Sequence, residues 1–288
     1  MMQFRTHHFP KTMSTWKTIL LLVTMISTLL TLSACNEGSP VESSAELVVV
    51  RAYLYAGEKV SDIQLSHSIP LSSGDSLAPP INDATVSLTK SGQTYQLTCS
   101  PGDSGYYHYG GNDLQVNSGD VFSLEVLYHG KRVTSSTQVP PSPEAVTISS
   151  DKLIIPSGSD LPFFRLDTNR IIVEWSNPTS DLYYAVLENI ETNPEQIFLN
   201  NDMLNRARGR FISPPTQSNR YSINILSLTY YGRHSVKIYR INREYANLYQ
   251  SRQQNTRDLN EPLTNINNGL GVFSAFNGVG VQFTVIKK

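Results

Sequence analysis

Hydrophobic side chains recur at every second position along most of this chain, the period of strands that bury one face. Leu47-Val48-Val49-Val50 with Ala52 and Leu54 reads as a first strand with a nearly continuous apolar run. Ile63, Leu65 and Ile69 follow at near-alternating positions. Ala84, Val86 and Leu88 interleave with Thr85, Ser87 and Thr89, and Ser91-Gly92 turns the chain into Tyr95 and Leu97. Pro101 to Gly105 is a turn before Tyr106-Tyr107-His108-Tyr109. Ser118-Gly119-Asp120 leads into Phe122, Leu124 and Val126, and His129-Gly130-Lys131 leads into a last polar strand ending at Val139-Pro140. Short strands with turn signals about every 8–12 residues predict a β-sandwich over 46–140.

Pro140-Pro141-Ser142-Pro143 cannot lie in a central strand and marks a stiff connector, with 141–143 at its centre. Beyond it, residues 144–288 predict a second sandwich. Its strands are Val146–Ile155, Arg170–Trp175, Tyr183–Ile190, Ser222–Leu228 and Ser235–Ile241, with 191–220 irregular. Asn242 is a candidate N-cap for a short helix over 243–253, with Tyr245, Leu248 and Tyr249 on one face. Gly271–Phe276 and Val281–Ile286 read as two final strands joined by an Asn277-Gly278 hairpin turn. The predicted class is all-β: two β-sandwich domains with one short helix near the C-terminus. The first is similar to prealbumin-like or carboxypeptidase-regulatory modules, and the second to fibronectin type III modules, with Trp175 as its core tryptophan.

Composition agrees with that reading. The 288 residues set a prior of about two domains. Hydrophobic residues make up 39% and charged residues 16%, the latter well under the ~25% of ordinary soluble domains. A net charge of −1 gives no support for a nucleic-acid partner.

The N-terminus carries an address. Residues 1–34 hold Arg5, Lys11 and Lys17 and no acid, and the apolar run Ile19–Leu32 is shorter than the ~20 residues a membrane span needs. Leu32-Ser33-Ala34-Cys35 at the end of that run resembles a bacterial lipobox, which implies cleavage before Cys35 and acylation of its sulfur. Residues 35–45 would then be a lipidated tether holding the chain to a membrane through acyl chains worth ~0.8 kcal/mol per buried CH₂. Loss of the leader leaves 20 basic and 24 acidic residues, a net charge of −4. With Cys35 acylated, Cys99 has no partner for an intrachain disulfide and reads as structural.

Catalytic constellations are sparse. His67, His108, His129 and His234 are isolated and read as surface or rim residues, without the spacing a zinc site needs. No metal site and no cofactor are predicted. Two loop regions are rich in hot-spot residue types. Tyr107 and Tyr109 in the first, and Arg206, Arg208 and Arg210 in the second, are the candidate exposed residues of a ligand or partner surface.

Several stretches of the sequence carry a family resemblance. Ile81-Asn82-Asp83-Ala84-Thr85-Val86, Tyr230-Tyr231-Gly232-Arg233-His234, Tyr239-Arg240-Ile241-Asn242-Arg243-Glu244-Tyr245 and Asn265-Ile266-Asn267-Asn268-Gly269-Leu270-Gly271-Val272-Phe273, together with the lipobox, resemble the Bacteroidota lipoproteins grouped as domain of unknown function 4249. The resemblance covers residues 35–288, and NGLGVF is its most specific part. It implies an outer-membrane lipoprotein serving a TonB-dependent receptor in uptake or surface binding, with no catalytic residues to carry over. Only Glu37 follows Cys35 closely, where surface-exported lipoproteins of that phylum carry an acidic cluster, so both faces of the membrane stay open. The competing expectation is a surface glycan or peptide hydrolase whose carboxylates are dispersed in sequence.

Overall fold

Alternation over β1 (Val48–Tyr55) sends Val48, Val50, Ala52 and Leu54 into a core and leaves Arg51, Tyr53 and Tyr55 on the other face. The computed structural model describes residues 47–69, 77–155, 170–197, 209–224, 227–251 and 264–288. The same rule builds β2 (Asp62–His67), β3 (Thr85–Lys90), β4 (Gln93–Cys99), β5 (Tyr106–His108), β6 (Val121–Tyr128) and β7 (Lys131–Gln138). Past the prolines come β8 (Glu144–Ile148), β9 (Lys152–Ile155), β10 (Ile171–Ser176), β11 (Leu182–Asn189), β12 (Arg210–Ile212), β13 (Arg220–Ile223), β14 (Gly232–Ile241), the helix α1 (Arg243–Ser251) and β15 (Leu270–Lys287). The fold is all-β, with its sheets in a sandwich-like arrangement and one short helix among the described residues.

One hydrogen-bonded path runs β12-β11-β14-β15-β1-β2-β5-β4-β3-β6-β7, with β9 also on β15. A second sheet runs β13-β10-β8. The first core lies between the β1, β2 and β5 side and the β3, β4, β6 and β7 side. The second is filled from β10 and β13 on one side and β9, β11, β14 and the end of β15 on the other. A third cluster of Tyr184, Val186, Tyr239, Ile241 and Phe276 packs on Ala246 of α1, with Tyr53, Tyr55 and Tyr245 against it.

The two larger cores part near Pro140, but the backbone does not. Ile266, Phe273 and Ala275 follow the 144 boundary in sequence yet belong to the first core. β15 pairs in parallel with β1 from Leu270 to Phe276, then antiparallel with β14 from Phe276 to Val285. The prolines themselves are tied in: the Asn277 amide donates to Pro140 O at 3.0 Å, and the Asn242 amide donates to Gln138 O at 2.7 Å.

Five sequence expectations need correction or refinement. Asn277-Gly278 does not turn, and β15 passes through it unbroken. Gly278 lies under Tyr239, where an added Cβ would stand 2.7 Å from the ring, and Asn277 is occupied with Pro140. Val146–Ile155 is two strands, because Ser150 binds both the N–H and the C=O of Lys152 and sends β8 and β9 to different sheets. The irregular stretch 191–220 contributes β12, and the strand expected over Ser222–Leu228 is the shorter β13. The helix forms where expected, but Ala246 is its most buried described residue, and only Tyr245 of the expected face joins the aromatic cluster.

Candidate functional site

Two loops meet at one end of the first sandwich. The β1–β2 turn needs Gly57, whose φ of +76° is costly for a side-chain-bearing residue. Its N–H donates to Val116 O at 2.9 Å, and the Tyr109 N–H donates to Val60 O at 2.9 Å. These bonds fasten the turn to the β5–β6 loop. Between them lies a cleft of about 240 Å³ lined by Glu58, Lys59, Val60, Tyr109, Asn112, Leu114 and Gln115, with Gly57 and Gly111. Val60 and Leu114 are buried, while Glu58, Lys59, Asn112 and Gln115 are exposed.

The side chains there are already positioned by one another. Lys59 Nζ donates to Asn112 Oδ1 at 3.2 Å, and Gln115 Nε2 donates to Asn112 O at 2.9 Å. Tyr109 donates its hydroxyl to Asp113 Oδ1 at 2.8 Å, a bond that raises the phenol above its ordinary pKa. Its ring meets Tyr95 edge to face and overhangs Gly111, where a Cβ would stand 2.5 Å from ring carbon. Glu58 accepts from Lys237 Nζ at 2.8 Å. Burial works against the charge on Lys237, but its bonds to Glu58 and Tyr239 outweigh that and raise its pKa.

Among the candidates from sequence that lie within the described residues, Tyr109 alone lines the cleft. Tyr107, expected on an exposed surface, is 1% exposed and belongs to the first core. Its hydroxyl donates to Ile81 O at 3.1 Å and accepts from the Ala84 N–H at 3.1 Å, and burial pushes the phenol up to about 12. The reason is parity: β5 puts Tyr107 on the face of Ile63 and Leu65, and Tyr106 on the face of Arg51. Arg210 is exposed at the start of β12, opposite Glu188, and does not line the cleft. Its charge is felt by Asp62, whose pKa burial raises while Arg51, Arg210 and a bond from Tyr55 pull it down. Arg206, Arg208 and Cys35 lie outside the described residues.

His234 corrects the rim expectation, being 2% exposed and stacked on Phe283. Glu58, Lys59, Asn112 and Gln115 were missed by sequence reasoning. Asn112 and Gln115 lie in the Gly110–Asn117 connection, whose only apolar alternation is Leu114 and Val116, and Glu58 and Lys59 follow the turn at Gly57; neither pattern marks a site by itself. Among the described residues, no group of three or more His, Cys, Asp or Glu is placed to hold a metal ion.

The NGLGVF stretch and the asparagines before it have a structural task. Asn265 Oδ1 accepts from the Phe273 N–H at 3.0 Å and its Nδ2 donates to Phe273 O at 2.7 Å. Asn267 exchanges backbone bonds with Thr134 on the edge of β7, at 2.8 and 3.2 Å. The stretch therefore closes the first sandwich against β7 before β15 joins β1.

This chain belongs to the family described as domain of unknown function 4249 (DUF4249), which matches residues 39–279. No curated protein matches it. Among solved structures it is similar to a crystal structure of domains A168-A170 from titin, at 11% identity over 84% of this chain and 68% of that one. The TM-score is 0.20, too low to carry an argument.

Proposed function

We propose that this protein is a non-catalytic, lipid-anchored binding module of the outer membrane, working as an accessory to a TonB-dependent transport system. The observation that carries the binding half is the cleft between 57–60 and 109–115. It sits on loops braced by a sandwich, where recognition is free of packing duty. The acids near it are already engaged, Glu58 with Lys237 and Asp113 with Tyr109, an arrangement suited to holding a ligand rather than to acid–base exchange. Family membership and the lipobox-like Leu32–Cys35 support the anchored half.

Affinity purification of the tagged full chain from its own membranes tests the proposal. Recovery of an outer-membrane receptor barrel is the expected result. Turnover of a glycan or peptide by the purified chain, with no receptor recovered, overturns it in favour of a surface hydrolase. Anchoring is checked separately by labelling with a palmitate analogue. The label is expected on the wild type and lost in Cys35→Ala; label kept by the variant refutes acylation there.

A further inference from the structure

The composition of the cleft narrows the chemistry of its ligand, given the binding reading above. Its volume of about 240 Å³ falls below the ~300–1,000 Å³ of sites that enclose drug-sized ligands. It suits one small ring. Val60 and Leu114 close its base from the first core, but both are under 10% exposed, and the surface left open to a ligand is mostly polar. The rim carries the carboxamides of Asn112 and Gln115, the phenol of Tyr109, and one acid and one base, Glu58 and Lys59.

Charge decides against several ligands. Lys59 has only the neutral Asn112 oxygen as a described polar partner, while Glu58 is shared with Lys237. A phosphate would meet one ammonium and an adjacent carboxylate, without the fork of cations that phosphate sites use. A quaternary ammonium would want open aromatic faces, and Tyr109 has one side against Gly111 and its ring against Tyr95. An acyl chain would leave the rim's polar groups desolvated and unpaired. A small neutral ring bearing several hydroxyls suits this lining: it brings no charge that the rim cannot pair, and its hydroxyls meet amide groups that donate and accept together.

We infer that the cleft formed by Glu58–Val60 and Tyr109–Gln115 binds a single neutral sugar residue, with Asn112 and Gln115 reading its hydroxyls. Binding requires the ligand to replace the Lys59–Asn112 bond with bonds of its own, so one sugar ring is held weakly and reversibly.

Saturation-transfer NMR on the full chain, with the methyl glycosides of glucose, galactose, mannose and N-acetylglucosamine as probes, tests this. At least one probe should receive saturation. The Asn112→Ala/Gln115→Ala chain should lower the affinity about ten-fold. Both side chains are exposed, so the melting temperature should hold; if it falls, the single Gln115→Ala chain supplies the comparison and should also weaken the signal. No transfer to any probe, or transfer unchanged in these variants, overturns the inference. Receptor recovery with no sugar bound would sink the cleft inference alone. Hydrolysis of a bound sugar would instead sink the non-catalytic reading and leave the site standing.

Discussion

The imidazole of His234 is held between two groups that fix its proton. Gly232 O, 3.0 Å from Nδ1, can only accept, so Nδ1 carries the hydrogen and Nε2 is left to accept from the Asn189 amide at 3.3 Å. Both bonds suit the neutral ring. Burial lowers its pKa below the ordinary 6.5, and the Gly232 bond and the Glu191 charge only partly oppose that. The unfolded chain takes up its proton near pH 6.5 and the folded one does so only at lower pH, so stability falls as the solution is acidified below about 6.5. The slope should reach at most roughly 1.4 kcal/mol per pH unit. Urea midpoints between pH 7.5 and 5 should show this decline, and His234→Gln should flatten it; an equal slope in both would remove His234 as the cause. Tyr107 offers a second test at this scale. Tyr107→Phe keeps the ring and strands the Ala84 N–H and Ile81 O, at a cost of about 1–3 kcal/mol in urea unfolding. Receptor recovery should be unchanged, whereas weakened recovery with unchanged stability would return Tyr107 to a surface role.

Strands were legible where one face is buried by apolar side chains, because a period of two survives in β1, β3, β6 and β10 without any tertiary information. What failed was local punctuation overruled by distant contacts. Asn277-Gly278 is a strong hairpin signal by its own chemistry, yet Tyr239 and Pro140, far away in sequence, hold it straight. Parity across β5 could not be assigned before β2 was known to be its neighbour, so Tyr107 was placed outward. Of the cleft, only Tyr109 was legible, since the other contributors are ordinary polar loop residues brought together by bonds from Gly57 and Tyr109. The most demanding position along an element is Gly271 in β15. Its φ is +107°, and a Cβ would stand 1.9 Å from Val50 O on the paired strand. Gly271→Ala must therefore push β15 off β1 or strain the backbone. A loss of at least about 2 kcal/mol is expected in urea unfolding; a loss under about 0.5 kcal/mol would mean the β1–β15 pairing is not as tight as described.

At the scale of the whole molecule, β15 makes the two larger cores mechanically dependent. Its first half donates Phe273 and Ala275 to the first core, and its second half donates Phe283 and Val285 to the other. Residues 45–288 group as one compact unit. Losing either core frees half of β15 and removes the Asn277–Pro140 and Glu58–Lys237 bonds, so neither half keeps its edges covered without the other. Such coupling predicts one cooperative transition. Two internal probes separate the halves. Trp175 is 4% exposed and packs on Tyr183 in the second core, so its fluorescence reports that half. Cys99 is partly buried against the first core, so its reaction with a thiol reagent reports the other. In a Trp16→Phe/Cys35→Ser chain, pulsed thiol labelling and tryptophan fluorescence should give the same urea midpoint. Cys99 becoming reactive at clearly lower urea than the Trp175 signal changes would show that the first sandwich opens alone, and β15 would then be a shared strand that does not couple the cores.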